Sequence, residues 1–422
     1  MSDPVDFFAS VAAEHPRCFW LDGGGAREWS GRRSIVGWLD PDDVSLTYDA
    51  TTRLVTRHTA GGSAVVGDDV FAALSAELVS GPDDASWFGY LGYACRPDLP
   101  AAVGSGLPDA IWMRPSHVRM FDHEPLDQNW RLSADLSVQR RQFPRVPGET
   151  APAPYTAAFA EVQEQLHAGN SYEVNLTYRV AEESGTDPVT AYLRLRELNP
   201  APYAGFLQHD VPGARGWLLS SSPERYALVT ADRTLETKPI KGTTPRGGTP
   251  EEDERQRLHL ASDPKFRAEN LMIVDLLRND LAMVCEPGSV TVPVLMDVES
   301  YATVHQLVST VRGRLRDDVT TVDALRALFP AGSMTGAPKL RTMQVIRDVE
   351  DTPRGPYAGA FGWLSADGRA DLGVVIRSLM TAGDGRWTLG TGGGITVRSD
   401  VDEEYAESRW KADRLLRAVG ER

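Results

Sequence analysis

The sequence predicts a mixed α/β fold of the α+β kind, with antiparallel-type strands and helices stacked in layers. Short aromatic and apolar strand runs separated by Gly-rich turns fill the first part. Longer helix-period segments alternate with strand runs after residue 155, and no fixed-period repeat or low-complexity block interrupts either part. At 422 residues the length alone suggests two or three domains, although single α/β domains also reach this size.

Taken in order, residues 1–80 read as short strands and turns, with glycine turns at Leu21-Asp22-Gly23-Gly24-Gly25 and Ala60-Gly61-Gly62-Ser63. Ser86–Tyr93 reads as a buried aromatic strand whose glycines imply close backbone approach. The Pro-rich polar stretch Gln142–Pro154 is the best linker candidate, dividing an N-terminal portion, residues 1–145 and mostly strands, from residues 155–422. Beyond it, Tyr155–Ala168 reads as a helix, Gly169-Asn170 as a turn and Ser171–Val180 as a strand. Trp217–Ser221 and Arg225–Val229 are strand-like and flank the corner Ser222-Pro223-Glu224. Asp263–Val284 is the clearest helix, because Asp263 can cap it and Pro264 suits its first position. Another helix, Lys339–Asp348, follows Pro338, and strands follow at Gly359–Ser365, Leu372–Thr381 and Trp387–Val397. From about Asp402 the chain ends in a helix with Ala412, Leu415, Leu416 and Val419 as its core stripe.

A formal charge of -15 argues against nucleic-acid binding, which needs clustered Lys and Arg. It leaves room for a small anionic substrate in a locally basic pocket. The three cysteines, Cys18, Cys95 and Cys285, are too scattered for a disulfide framework or a paired zinc site. The first residues lack a basic and apolar leader, and no run is long enough to span a bilayer. A cytoplasmic protein without membrane or nucleic-acid partners is the expectation.

Several residues stand out for chemistry. Lys241 sits in Pro239-Ile240-Lys241-Gly242-Thr243, where Pro239 fixes the entry and Gly242 frees the exit of a stiff turn. A lysine amine attacks only when neutral, and Lys238 or Arg246 could supply the neighbouring cation that lowers its pKa; a solvated turn lysine is the plainer alternative. Glu224 occupies the corner, Glu269 shares a helix stripe with Ile273, Leu276 and Asp280, and Glu404 and Glu407 border the last helix's core stripe. Oxygen ligands of this kind suit Mg²⁺, while ordinary salt bridges, such as Glu407 with Lys411, are the alternative. Anion sites are offered by Thr335 in the Ala331–Pro338 loop and by the glycine run Gly390–Gly394, which interrupts a strand. Arg377 stands in an apolar strand and needs an anionic partner, either a substrate carboxylate or an internal Asp or Glu. His305 is either a satisfied core histidine or a group that polarises a substrate hydroxyl.

Read together, Ser222-Pro223-Glu224, Pro239–Thr243, Ala268–Asp280, Gly332–Lys339, Ile376-Arg377-Ser378, the glycine run and Glu403–Ser408 resemble the chorismate-utilising enzymes. That family includes the anthranilate, aminodeoxychorismate, isochorismate and salicylate synthases. The resemblance is strong over residues 217–416 and weaker back to about 85. It implies a single large domain of two face-packed, mostly antiparallel sheets with helices outside, and makes residues 155–422 the chorismate-binding portion. It implies Mg²⁺ on Glu269 and Glu404 with Glu407 near, Glu224 as general acid for the C4 hydroxyl, and Arg377 with Gly392, Gly393 and Gly394 as a second carboxylate site. Thr335, His305 and Tyr357 match ring-pocket positions; His305 joins the catalytic set, and Lys411 the substrate-binding one. Lys241 resembles the lysine of the branch that aminates chorismate at C4, in which the lysine attacks C2 and ammonia then adds at C4. Amination at C2, as by an anthranilate or 2-amino-2-deoxyisochorismate synthase, is the alternative. Isochorismate and salicylate synthases carry a base lysine where this chain has Glu173, and the aminating branches commonly carry Gln and in some cases Glu. Loss of the lysine argues against water as nucleophile, with Glu173 as a base the alternative. No Cys lies in a glutaminase elbow, which leaves ammonia to come from solution or from a separate subunit, and the resemblance implies the latter, a glutamine amidotransferase component II.

Overall fold

The computed structural model describes residues 3–23, 33–123, 150–301 and 304–420. Gly24, Gly25 and residues 142–149 of the expected Gln142–Pro154 linker lie outside the described residues. Within them the strands form one nine-stranded and one twelve-stranded sheet. Every strand pair described is antiparallel.

The smaller sheet runs from Gly336–Ala337 through Glu173–Glu183, Arg386–Ile395, Ser378–Thr381, Gly216–Ser222 and Tyr203–His209, then to the N-terminal strands Arg17–Asp22, Arg33–Trp38 and His117–Asp122. The larger runs from Ile240–Pro245 through Val304–Arg314, Thr234–Lys238, Arg225–Val229, Ala370–Val374 and Ala360–Ser365 into Ser86–Leu91 and the remaining N-terminal strands. Thr291–Ser300 pairs beside Val304–Arg314. Residues before and after the linker thus contribute to both sheets, which makes one domain of the two portions.

Strand alternation decides what faces what. On Arg17–Asp22, Phe19 points between the sheets and stacks on Phe88 of the other sheet, ring centroids 4.1 Å apart. Its neighbour Trp20 points the other way and packs with Phe8, Tyr192 and Phe206 in a second cluster, which the helix Val401–Val419 completes through Ala412, Leu415 and Val419. The helices Pro4–Glu14, Pro188–Leu198 and Val401–Val419 therefore cover the outer face of the smaller sheet.

Most expected elements form close to their expected bounds. The helix Pro264–Ala282 starts after Asp263, whose side chain accepts from the Lys265 and Phe266 N–H groups. Gly89 lies in the strand Ser86–Leu91 where a side chain would collide with the Ile111 carbonyl. Three readings change. Pro4–Glu14 and Val70–Ser80 are helices, capped by Asp3 and Asp69, in a stretch read as strands and turns. The run read as one strand, Leu372–Thr381, is two, Ala370–Val374 and Ser378–Thr381, one in each sheet, with Arg377 at φ 49° in the passage between them. The glycine run does not interrupt its strand, because Arg386–Ile395 pairs with Glu173–Glu183 along its whole length.

Candidate active site

The passage between the sheets, the last helix and the helix Pro264–Ala282 enclose a cavity lined by Glu224, Lys241, Glu269, Arg377, Glu404 and Glu407, among others. Each arrives by a local device. Lys241 lies in Ile240–Pro245, where the pairing slips between Ile240 and Thr243. Gly242 there takes φ 87°, a conformation that costs glycine little, and a side chain on it would press on Leu260 and Phe266. The lysine is thus held by a bulged strand instead of the expected turn.

Glu224 is buried in the corner after Pro223, and Ser333 Oγ donates to its Oε1 at 2.6 Å. Burial pushes its carboxyl up to about 7, against the Ser333 bond and the nearby Lys241 and Arg377 charges. A carboxylic acid that keeps its proton to neutrality can donate to a leaving oxygen.

Lys241 Nζ donates to Glu173, whose side chain is 1% exposed. Burial opposes the ammonium, but Glu173, Glu269 and Glu224 together hold it above the ordinary lysine value. The expected cation neighbours are occupied elsewhere: Lys238 pairs with Glu299, and Arg246 with Asp253. The resting amine is therefore charged, contrary to the sequence expectation of a cation-depressed lysine.

Glu269 and Glu404 face the cavity from different helices. Glu269 Oε1 is buried with no hydrogen-bond partner, and burial pushes that carboxyl up to about 7. Glu404 accepts from Lys265 Nζ at 3.1 Å and Ser399 Oγ at 2.7 Å. Glu407 is paired with Lys411 at 2.9 Å, which holds its carboxyl below the usual range. No group of three or more His, Cys, Asp or Glu gathers closely enough among the described residues to hold a metal alone. An all-oxygen pair with an orphaned buried acceptor still fits Mg²⁺, which needs only one or two carboxylates beside substrate oxygens and water.

Arg377 also lines the cavity, and no carboxylate of the described residues forms a salt bridge with it. Burial and the Arg414 charge pull its pKa down to about 10, so an incoming anion would be welcome. The glycine strand stands beside it. A side chain on Gly390 would collide with the Tyr357 ring, one on Gly392 with the Leu176 carbonyl, and one on Gly394 with Glu173. Lys411 Nζ donates to Gly392 O at 3.0 Å.

A buried acid, a paired lysine, a carboxylate with one unpartnered oxygen and a guanidinium without a salt bridge among the described residues suit a small dianion with a leaving hydroxyl. The sequence profile of the chorismate binding enzymes matches residues 17–417. The chain belongs to that family. It is 39% identical to the aminodeoxychorismate synthase of Streptomyces pristinaespiralis, over 98% of this chain and 63% of the relative. It is 44% identical to aminodeoxychorismate synthase component 1 of Escherichia coli K12, over 62% of this chain and 57% of that one. The chain spans somewhat less than two thirds of the length of these curated relatives. The crystal structure of anthranilate synthase component I from Streptococcus pneumoniae has the same fold, with a TM-score of 0.73 at 27% identity over 91% of this chain and 92% of that one.

Within this family fold, the cavity gathers Lys241, Glu224, Tyr357, Arg377, Gly392, Gly393, Gly394, Glu269, Glu404, Glu407 and Lys411 from the expected set. Two expected residues lie outside its lining. His305 is buried with Nδ1 on Ser300 and Nε2 on Asp253, at 2.7 and 3.0 Å. Successive strand residues face opposite ways, so it is Gln306 that lines the cavity. Thr335 is fully buried, and its hydroxyl donates to Gly332 O; Ser333 reaches the cavity instead. Sequence reasoning also missed Lys265, one helical turn before Glu269, a spacing that could have revealed it.

Proposed function

We propose that this family member aminates chorismate at C4, giving 4-amino-4-deoxychorismate, with ammonia supplied by a separate glutamine amidotransferase subunit. The observation that carries the reading is Lys241 in one cavity with Glu224: a nucleophile and an acid. In this reading the Lys241 amine attacks C2, and the two conjugated ring double bonds each shift one position toward C4. Glu224 gives its proton to the C4 hydroxyl, which leaves as water. Ammonia then adds at C4, both double bonds shift back, and the C2–N bond to Lys241 breaks.

Glu269 and Glu404, with Glu407 beside them, would hold Mg²⁺, which supplies positive charge to grip a substrate carboxylate. Arg377 and the backbone of Gly392–Gly394 would take the second carboxylate, with Tyr357 against the ring. A cytoplasmic setting fits three buried free cysteines, and no helix among the described residues is long and apolar enough to cross a membrane.

The test is product identification with chorismate, Mg²⁺ and ammonium. Formation of 4-amino-4-deoxychorismate, convertible by a lyase to p-aminobenzoate, is expected. Fluorescent anthranilate without added lyase would instead establish amination at C2 and reject the proposal.

A further inference from the structure

The resting structure poses a problem for a lysine nucleophile, because an ammonium has no lone pair to attack with. We propose that Glu173 is the proton acceptor for Lys241: it takes the ammonium proton before attack and returns it when the lysine is released. This rests on the reading of Lys241 as nucleophile.

The geometry singles out Glu173. It is the carboxylate hydrogen-bonded to Lys241 Nζ among the described residues. Its second oxygen, Oε2, is buried without a partner, so the carboxylate has capacity to hold a proton. The strand Glu173–Glu183 fixes its backbone between Gly336–Ala337 and Arg386–Ile395. Across from it, Gly394 leaves the space that the ion pair fills, since a Cβ there would collide with Glu173 Oε1 and lie 3.0 Å from Lys241 Nζ. Glu224 cannot take the proton as well, because its own is needed at C4.

Bound substrate would cover the pair and exclude water, which penalises two buried charges more than their neutral forms. Proton transfer then leaves a neutral amine facing the ring. The balance closes. Nζ loses a proton to Glu173, the N–C2 bond forms, and C4–O breaks as Glu224 protonates the hydroxyl, which departs as water. When ammonia bonds to C4 and C2–N breaks, Glu224 recovers a proton from the new C4 ammonium, and Glu173 returns its proton to Nζ. Other charged groups share the cavity: Lys265 and Glu269 on one helix, Glu404, Glu407 and Lys411 on another, and Arg377 in the passage. None of these is hydrogen-bonded to Nζ.

The test follows adduct formation on Lys241 by intact-protein mass spectrometry, with chorismate and Mg²⁺ but no ammonium, in the parent, Glu173→Gln, Glu173→Asp and Lys241→Ala proteins. In Glu173→Gln the adduct should form about 100-fold more slowly at neutral pH, the low end for losing a general base. KM for chorismate should stay within about twofold by the same logic. The rate should climb as pH rises and solvent takes over the deprotonation, and Glu173→Asp should restore part of it. An adduct formed at the parental rate by Glu173→Gln overturns the proposal and leaves Glu173 a counter-ion. In a parallel assay with ammonium, retained C4 amination in Lys241→Ala overturns the nucleophile reading and this proposal with it, whereas an inactive Lys241→Ala beside an unimpaired Glu173→Gln overturns the proposal alone.

Discussion

At Glu224 a carboxyl surrounded by protein keeps its proton up to about 7, and the proposed chemistry needs that proton. The acid form dominates below this value and is lost above it, so turnover should fall as pH rises through about 7. Glu224→Gln should lower kcat by about 10²- to 10⁴-fold, the range for general acids, and remove that limb from the residual activity. A pH–rate profile of both proteins checks this; an unchanged limb in the variant would assign it to another group. Arg377 makes a different prediction, because among the described residues it has no carboxylate partner to lose. Arg377→Gln should raise KM for chorismate by about 10- to 100-fold, the worth of a hydrogen bond to a charged group, and leave the melting temperature near parental. An unaltered KM would place the substrate carboxylate elsewhere. Arg377, Glu269 and Lys241 were legible because each breaks a local rule: a guanidinium in an apolar strand, a carboxyl on an apolar helix stripe, a lysine between Pro239 and Gly242. His305 breaks the same rule as a polar group among apolar ones, yet its ring is satisfied by Ser300 and Asp253. In Val304-His305-Gln306-Leu307, nothing in the composition tells which of two adjacent polar residues faces in.

At the scale of elements, the helix Pro264–Ala282 brings Glu269 and Lys265 to the cavity, and its far end is tied down by Asp280. Lys339 Nζ donates to Asp280 at 2.6 Å and to the Leu328 carbonyl at 2.8 Å, with both side chains nearly out of solvent. That bond links this cavity-lining helix to the segment carrying Ser333, the partner of Glu224. Asp280→Ala leaves a buried ammonium uncompensated, which costs about 3–5 kcal/mol in comparable pairs. We expect a lower midpoint in urea with an unchanged slope, and a milder loss for Asp280→Asn, which keeps an acceptor. A midpoint equal to the parent's would show that Lys339 finds solvent. Asp263 and Pro264 made this helix readable, since cap and first-position signals are local. The split of Leu372–Thr381 was not readable, because both halves are apolar and the turn toward the other sheet falls on Val375–Arg377, without a glycine or proline to mark it. The positive φ of Arg377 belongs to the tertiary path, not to the residue's own preference.

At the scale of the molecule, local alternation identified many strands, but their partners were set by contacts distant in sequence, which no window of residues reports. The two-sheet arrangement was legible only through the family resemblance. The same long-range pairing makes a strong prediction about the linker. Residues 155–422 hold every proposed catalytic group, so they could be mistaken for a separable catalytic domain. Yet Tyr203–His209 pairs with Arg17–Asp22, and Ala360–Ser365 with Ser86–Leu91, so deleting the N-terminal portion opens an edge in each sheet. It also removes Phe19 and Phe88 from between the sheets and Phe8 and Trp20 from the outer cluster. Each buried aromatic of that size contributes about 3–5 kcal/mol when truncated, and whole domains are stable by only about 5–15 kcal/mol. A protein of residues 155–422 alone should therefore lack a cooperative thermal transition and should aggregate through its open strand edges. Co-expression with residues 1–145 should recover a folded complex with chorismate-dependent turnover. A monomeric 155–422 fragment that melts cooperatively near the parental temperature would show that the catalytic portion folds by itself.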